Sequence, residues 1–221
     1  MRTVIAGGHG KIARRLGRLL AQRGDRVAGL IRNEEHAADL LSDGTEPVVC
    51  DLETASVEEV ARHLSGADAA VFAAGAGPGS GAGRKDTVDR AAAVLFADAA
   101  QRVGVRRFVV VSAMGVDGPP PPDTDPVFAA YLRAKGAADA DIRERSGLFS
   151  TILRPGRLTD EPGTGRVLLA EPPVDGGAVP RDDVAAVLVA LLDTPGTAGL
   201  TLDLVGGTEP IAEAVAAVNR P

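Results

Sequence analysis

After only six residues the chain enters a glycine-rich turn, and no other segment restricts the fold as strongly. Thr3-Val4-Ile5-Ala6 leads into Gly7-Gly8-His9-Gly10-Lys11-Ile12-Ala13. The next segment, 11–22, sets Ile12, Leu16, Leu19 and Leu20 on one side and Arg14, Arg15 and Arg18 on the other, the pattern of an amphipathic helix. An apolar strand, a G-x-x-G-x-x-A turn and such a helix in direct succession predict the first βα unit of a dinucleotide-binding domain. Gly7 permits the tight turn, Gly10 lets the backbone approach a pyrophosphate, and Ala13 lets the helix lie close on the sheet. The free N–H groups and partial positive charge at the helix start favour phosphate.

The rest of the chain repeats this alternation. Strands are predicted at 3–6, 26–31, 46–50, 69–73, 107–112, 150–154 and 201–205, mostly as unbroken apolar runs of the kind that suits strands covered on both faces. Helices are predicted at 11–22, 57–64, 86–102, 127–145 and 182–192, with a further one between the second and third strands ending at Ser42-Asp43-Gly44. The expected fold class is α/β, a Rossmann-type doubly wound, mostly parallel sheet with helices on both faces. One domain is expected over 1–221, with a small substrate-side part from about 157 to 221. Two segments, Gly75–Gly83 (GAGPGSGAG) and Gly118–Asp125 (GPPPPDTD), follow strand ends and read as an irregular loop and a polyproline stretch, either bordering a site or serving as plain linkers.

Composition removes several function classes. The net charge is −6 with no clustered basic segment, which argues against nucleic-acid binding. No apolar run approaches the roughly 20 residues of a membrane helix. The single cysteine, Cys50, rules out an intramolecular disulfide and reads as a small buried hydrophobe. A cytoplasmic protein, monomeric or homodimeric, is the expectation. His36 and His63 have no ligand-spaced partners and read as surface residues; no metal signature and no hydrolase elbow are seen.

The ends of the predicted strands carry the specificity signals. Strand two ends Leu30-Ile31-Arg32-Asn33, where an NAD-specific site wants a carboxylate for the ribose 2′-hydroxyl. Arg32 can instead bind a 2′-phosphate bidentately, so NADP(H) is favoured over NAD(H). Asp51, ending strand three, can meet the adenine amino group while Leu52 meets the ring through its backbone; Asp51 can equally cap the following turn. Ala73, Ala74 and Gly75, ending strand four, leave room for the cofactor backbone.

Taken together, GGHGKIA (7–13), IRN (31–33), DLE (51–53), AAGAG (73–77), VRRFVVVSAMG (105–115), YLRAKGAAD (131–139) and ILRPGRLTDEPGTGRV (152–167) give a chain that resembles an atypical short-chain dehydrogenase/reductase. The subgroup is the NAD(P)-binding one related to NmrA-like regulators and flavin/biliverdin reductases. The resemblance implies a cofactor across the C-terminal strand ends, touched by His9, Lys11 and Ile12, with Arg154-Pro155-Gly156 closing over the nicotinamide end. It also offers Ser112, Tyr131 and Lys135 as a catalytic trio: Tyr131 as proton donor, Lys135 lowering its pKa near the ribose, Ser112 orienting the acceptor. In flavin/biliverdin reductases no tyrosine acid is needed and the serine simply flanks the nicotinamide. The expected activity is hydride transfer from NADPH to a small organic acceptor, a quinone, flavin or carbonyl compound. The alternative is a non-catalytic NADP(H) redox sensor acting on a regulatory protein partner. A nucleotide-sugar epimerase fits less well, because few residues remain to build a sugar-nucleotide pocket.

Overall fold

The apolar runs become strands because each is buried from both sides. The computed structural model of the chain describes residues 1–77 and 79–220; Pro78, inside the Gly75–Gly83 loop, and Pro221, at the end of the expected domain, lie outside the described residues. The chain alternates β1 (Arg2–Ala6), α1 (Lys11–Gln22), β2 (Arg26–Ile31), α2 (Ala37–Ser42), β3 (Glu46–Val49), α3 (Val57–Leu64) and β4 (Ala69–Phe72). It continues through α4 (Ala82–Arg84), α5 (Ala92–Arg102), β5 (Arg107–Val111), α6 (Pro126–Glu144) and β6 (Phe149–Pro155). The C-terminal part adds β7 (Arg157–Thr159), β8 (Arg166–Ala170), β9 (Ala178–Pro180), α7 (Arg181–Leu192), β10 (Thr201–Gly206), β11 (Glu209–Pro210) and α8 (Ile211–Val218).

Nine strands form one sheet in the order β11-β8-β10-β6-β5-β4-β1-β2-β3. All neighbours from β10 to β3 are parallel, while β8 runs antiparallel to β10 and β11. Successive side chains of β1 point to opposite faces. Ile5 joins Leu16, Leu20, Val184 and Leu188 from α1 and α7. Val4 and Ala6 join Val60, Leu64, Phe96 and Ile142 from α3, α5 and α6. This is the two-sided covering that the sequence predicts for a doubly wound sheet.

The departures from expectation have local causes. Helix formation starts at Ala82, inside the predicted irregular loop, and passes through a π-helical stretch, Lys85–Ala91, into α5. The wider turn brings Lys85, Val88 and Asp89 to the buried side together. The predicted Arg154-Pro155-Gly156 turn is not a turn at its start: Arg154 and Pro155 belong to β6, and Gly156 N–H donates to Leu204 O. The polyproline segment is not helical; it ends at Asp125, whose carboxylate caps α6 by accepting from Val127 and Phe128 N–H.

Candidate functional site

From β1 the chain winds outward through β2 and β3 on one side, and through β4, β5 and β6 on the other. The strand order therefore switches direction between β1 and β4, and the crevice beyond that point is where doubly wound sheets bind ligands. A cleft of about 500 Å³ opens there. Its walls include Gly7, His9, Gly10 and Lys11 from the first loop, Arg32 beyond β2, and Asp51 and Leu52 beyond β3. Ala73, Ala74 and Gly75 close it beyond β4. Ten sequence-predicted cofactor residues thus face one cavity. Of the other four, Ile12 is half-buried and packs on the core, Pro155 is buried at the end of β6, and Ser112 and Lys135 are buried beside the cleft; none is among the cleft's walls.

The glycines set the shape of the loop. Gly7 has φ +76°, and a Cβ there would lie 2.5 Å from Ala74 Cα. Gly10 N–H donates to Gly7 O at 2.8 Å, tightening the turn. Helix α1 begins with no side-chain cap and no acidic residue in its first turn. Among the described residues no side-chain cap or first-turn carboxylate therefore competes with an anion for its first N–H groups, and the residues present fit a pyrophosphate.

Charge around the cleft is mostly paired. Lys11 Nζ lies 2.6 Å from Asp160, and His9 Nε2 lies 2.8 Å from Asp39. His36, read from sequence as a surface residue, is half-buried and stacks on the His9 ring at 3.6 Å. Arg32 is exposed at the tip of β2, 3.6 Å from Glu53. Glu53 is held more firmly by Arg84 and by the Thr87 hydroxyl, and these partners keep its carboxyl below the usual range. Asp51 Oδ1 accepts from Glu53 N–H, so its side chain caps its own turn, while Ser56 caps α3.

Beside the cleft lies a buried polar group. Ser112 follows β5, Lys135 and Tyr131 share a face of α6, and Asp89 comes from the π-helical stretch. Lys135 Nζ donates to Val111 O at 3.1 Å and Ala74 O at 3.4 Å, and lies 3.5 Å from Asp89. Burial pushes the lysine's pKa down, and Asp89 and Asp139 oppose that. Tyr131 is stacked on Phe128, with Lys85 Nζ 5.5 Å over its ring. Burial, then Asp89 and Asp139, push its hydroxyl well above the ordinary tyrosine range. That direction is opposite to the one a lysine-assisted tyrosine acid needs, and burial is its main cause.

Sequence reading missed Glu53, Arg84, Asp89 and Asp139. Lys135 and Asp139 stand four apart on one helix, a readable signal. Asp89 gives none, because its inward direction depends on the π-helical turn. Arg154, expected at the nicotinamide end, is instead fully buried between Asp139 and Asp117. Ser112 Oγ, Asp89 Oδ1 and Asp139 Oδ1 are buried without a well-aligned hydrogen bond, although Ser112 stands near enough to hold the Asp139 pKa down.

Comparison with known proteins identifies the family. A family model described as NAD(P)H-binding matches residues 7–195. A Bacillus subtilis protein named an uncharacterized sugar epimerase is 38% identical over 216 residues, covering 97% of this chain and 99% of that protein. A Bacillus halodurans structure, provisionally named an NAD-dependent epimerase/dehydratase, superposes with a TM-score of 0.89 at 34% identity, covering 98% of this chain and 99% of that one. An oxidoreductase from Lactococcus lactis gives a TM-score of 0.83 at 25% identity, covering 98% and 96%.

Proposed function

This chain belongs to the NAD(P)H-binding family, fits its atypical short-chain dehydrogenase/reductase subgroup, and on that premise we propose that it is an NADPH-dependent reductase of a small organic acceptor. Quinones and flavins suit the site better than carbonyl compounds. The observation that carries this is the state of Lys135 and Tyr131. A carbonyl reductase or an epimerase of this kind needs a tyrosine whose pKa a neighbouring lysine has lowered. Here Lys135 is tied to Asp89 and two carbonyls, and Tyr131 is raised. A quinone or flavin can take its proton from water after hydride arrives. This weighs the L. lactis oxidoreductase name above the epimerase names.

Bound in the cleft, the dinucleotide supplies hydride from its nicotinamide ring. The protein's part is to bind and orient. The N–H groups of α1 and the loop would hold phosphate, Asp51 and Leu52 would flank adenine, and Ser112 and Lys135, buried beside the cleft, would stand behind the nicotinamide side. The test is an NADPH-oxidation screen over quinones, flavins and carbonyls, run with wild type and Tyr131→Phe side by side. Quinone or flavin turnover is expected, with the variant within about threefold of wild type. A loss of roughly 10²–10⁴ in kcat would restore Tyr131 as the proton donor. NADPH binding with no turnover on any acceptor would favour the sensor alternative.

Cofactor preference has its own test. We infer that Arg32 selects the 2′-phosphate, against the competing Glu53 carboxylate 3.6 Å away. Wild type is expected to bind NADPH more tightly than NADH by about one to two decades, since charge-assisted hydrogen bonds contribute about 1.5–3 kcal/mol each. Arg32→Asp should erase or reverse this, and Glu53→Gln should widen it. Equal affinities of wild type for the two dinucleotides, by calorimetric titration, would refute the assignment.

A further inference from the structure

Behind the adenine side of the cleft, three side chains of different chemistry converge. Cys50 follows the end of β3, where its side chain is buried and also borders the cleft. Glu59 and His63 stand four apart on α3, the spacing that places two side chains on one helix face. The Cys50 sulfur, a Glu59 carboxylate oxygen and a His63 ring nitrogen all lie within 4.8 Å of one another. Any three points that close share a centre within about 2.8 Å of each, and zinc bonds to these donors are about 2.0–2.3 Å. Side-chain adjustment of well under 1 Å closes that gap.

The three donors are otherwise unused. Among the described residues, Glu59 and His63 are too far apart for an ion pair, and neither side chain nor the thiol has a hydrogen-bond partner. This separates them from the His9, His36 and Asp39 group at the cleft mouth, where His9 already bonds Asp39. The donor set also selects the ion. A thiolate with an imidazole suits zinc rather than magnesium or calcium, and one carboxylate completes a three-ligand set with an open fourth position.

We propose that Cys50, Glu59 and His63 form a binding site for one zinc-class divalent cation, linking the end of β3 to α3 directly behind the dinucleotide cleft. The site was not readable as a motif, because Cys50 lies nine residues before Glu59 and only the burial of Cys50 with Val60, Ala61 and Leu64 of α3 in one core cluster joins them. The test is titration of the metal-free protein with Zn²⁺, and with Co²⁺ as a spectroscopic probe. Wild type should take up one equivalent, and Co²⁺ should give a thiolate-to-metal charge-transfer band in the near ultraviolet. Cys50→Ser should lose the band. His63→Gln and Glu59→Gln should each weaken Zn²⁺ binding by at least about tenfold, with unchanged far-ultraviolet circular dichroism. His36→Gln should leave affinity and band intact. Because Glu59 and His63 are half-exposed, their variants carry the test even if Cys50→Ser fails to fold. The proposal falls if no saturable binding is seen, if His63→Gln binds as wild type does, or if binding follows His36.

Discussion

Gly10→Val is expected to lower dinucleotide affinity by at least about 100-fold, equivalent to roughly 2.7 kcal/mol, while the sheet and α1 stay folded. The separation of binding from folding rests on differences among the loop glycines. Gly7 has a positive φ, and a Cβ there would sit 2.5 Å from Ala74 Cα; a Cβ at Gly8 would sit 2.7 Å from Gly29 Cα. Side chains at those positions break the packing of the first βα unit. Gly10 has φ −62° and ψ 147°, a conformation that valine adopts without strain. Its Cβ would lie 3.1 Å from Gly7 O and 3.7 Å from Ala73 O, tight contacts that a small shift relieves. The branched methyls then occupy cleft space that a phosphate needs to reach the N–H groups of α1. Losing two charge-assisted hydrogen bonds already accounts for the predicted factor. Replacing glycine at the helix cap costs about 1 kcal/mol of stability, so the melting point should fall only slightly. Titration with NADPH and thermal melting, run on the same preparations, check both halves. Unchanged affinity would place the dinucleotide elsewhere.

Much of this site was legible because its signals are local. The spacing of Gly7, Gly10 and Ala13, the Arg32 tip and the small residues 73–75 all belong to single loops, and each loop borders the cleft. The strands Arg26–Ile31 and helices Lys11–Gln22 and Val57–Leu64 match their predicted limits, because Gly24-Asp25 and Ser56 punctuate them. What was not legible depends on neighbours distant in sequence. Strand β8 was missed because Arg166–Ala170 alternates in burial only once it pairs antiparallel with β10. Glu53 enters the cleft through Arg84 and Thr87, more than thirty residues away. Asp89 points inward only through the π-helical turn. The YxxxK spacing correctly places Tyr131 and Lys135 on one face, yet spacing alone says nothing of the carboxylate that takes up the lysine's charge.

The same buried charges predict the largest effect on stability. Arg154→Met is expected to destabilise the fold by about 3–5 kcal/mol near neutral pH, because it strands a carboxylate. Arg154 Nε donates to Asp139 Oδ2 at 2.9 Å, both side chains being almost fully buried, and the guanidinium grips the exposed Asp117 with its other two nitrogens. Methionine fills most of the volume, so the deficit is mainly electrostatic rather than a cavity. Burial already raises the Asp139 pKa above its ordinary value of about 3.9, opposed by Ser112, Arg154 and Lys135. Without Arg154 it rises further. Below pH about 4 the carboxyl is protonated in the folded and unfolded chain alike, and the stranded charge costs nothing. As pH climbs past the wild-type folded pKa, Asp139 ionises in the wild-type fold while the variant still holds the proton, so the deficit grows, and it levels off only above the variant's higher folded pKa. Denaturant unfolding should therefore find a smaller gap between variant and wild type at pH 4 than at pH 7. Adding Asp139→Asn to Arg154→Met should recover part of the loss at pH 7 and flatten the pH dependence. An equal deficit at both pH values, with no recovery from the asparagine, would show that Arg154 acts by packing rather than by compensating Asp139.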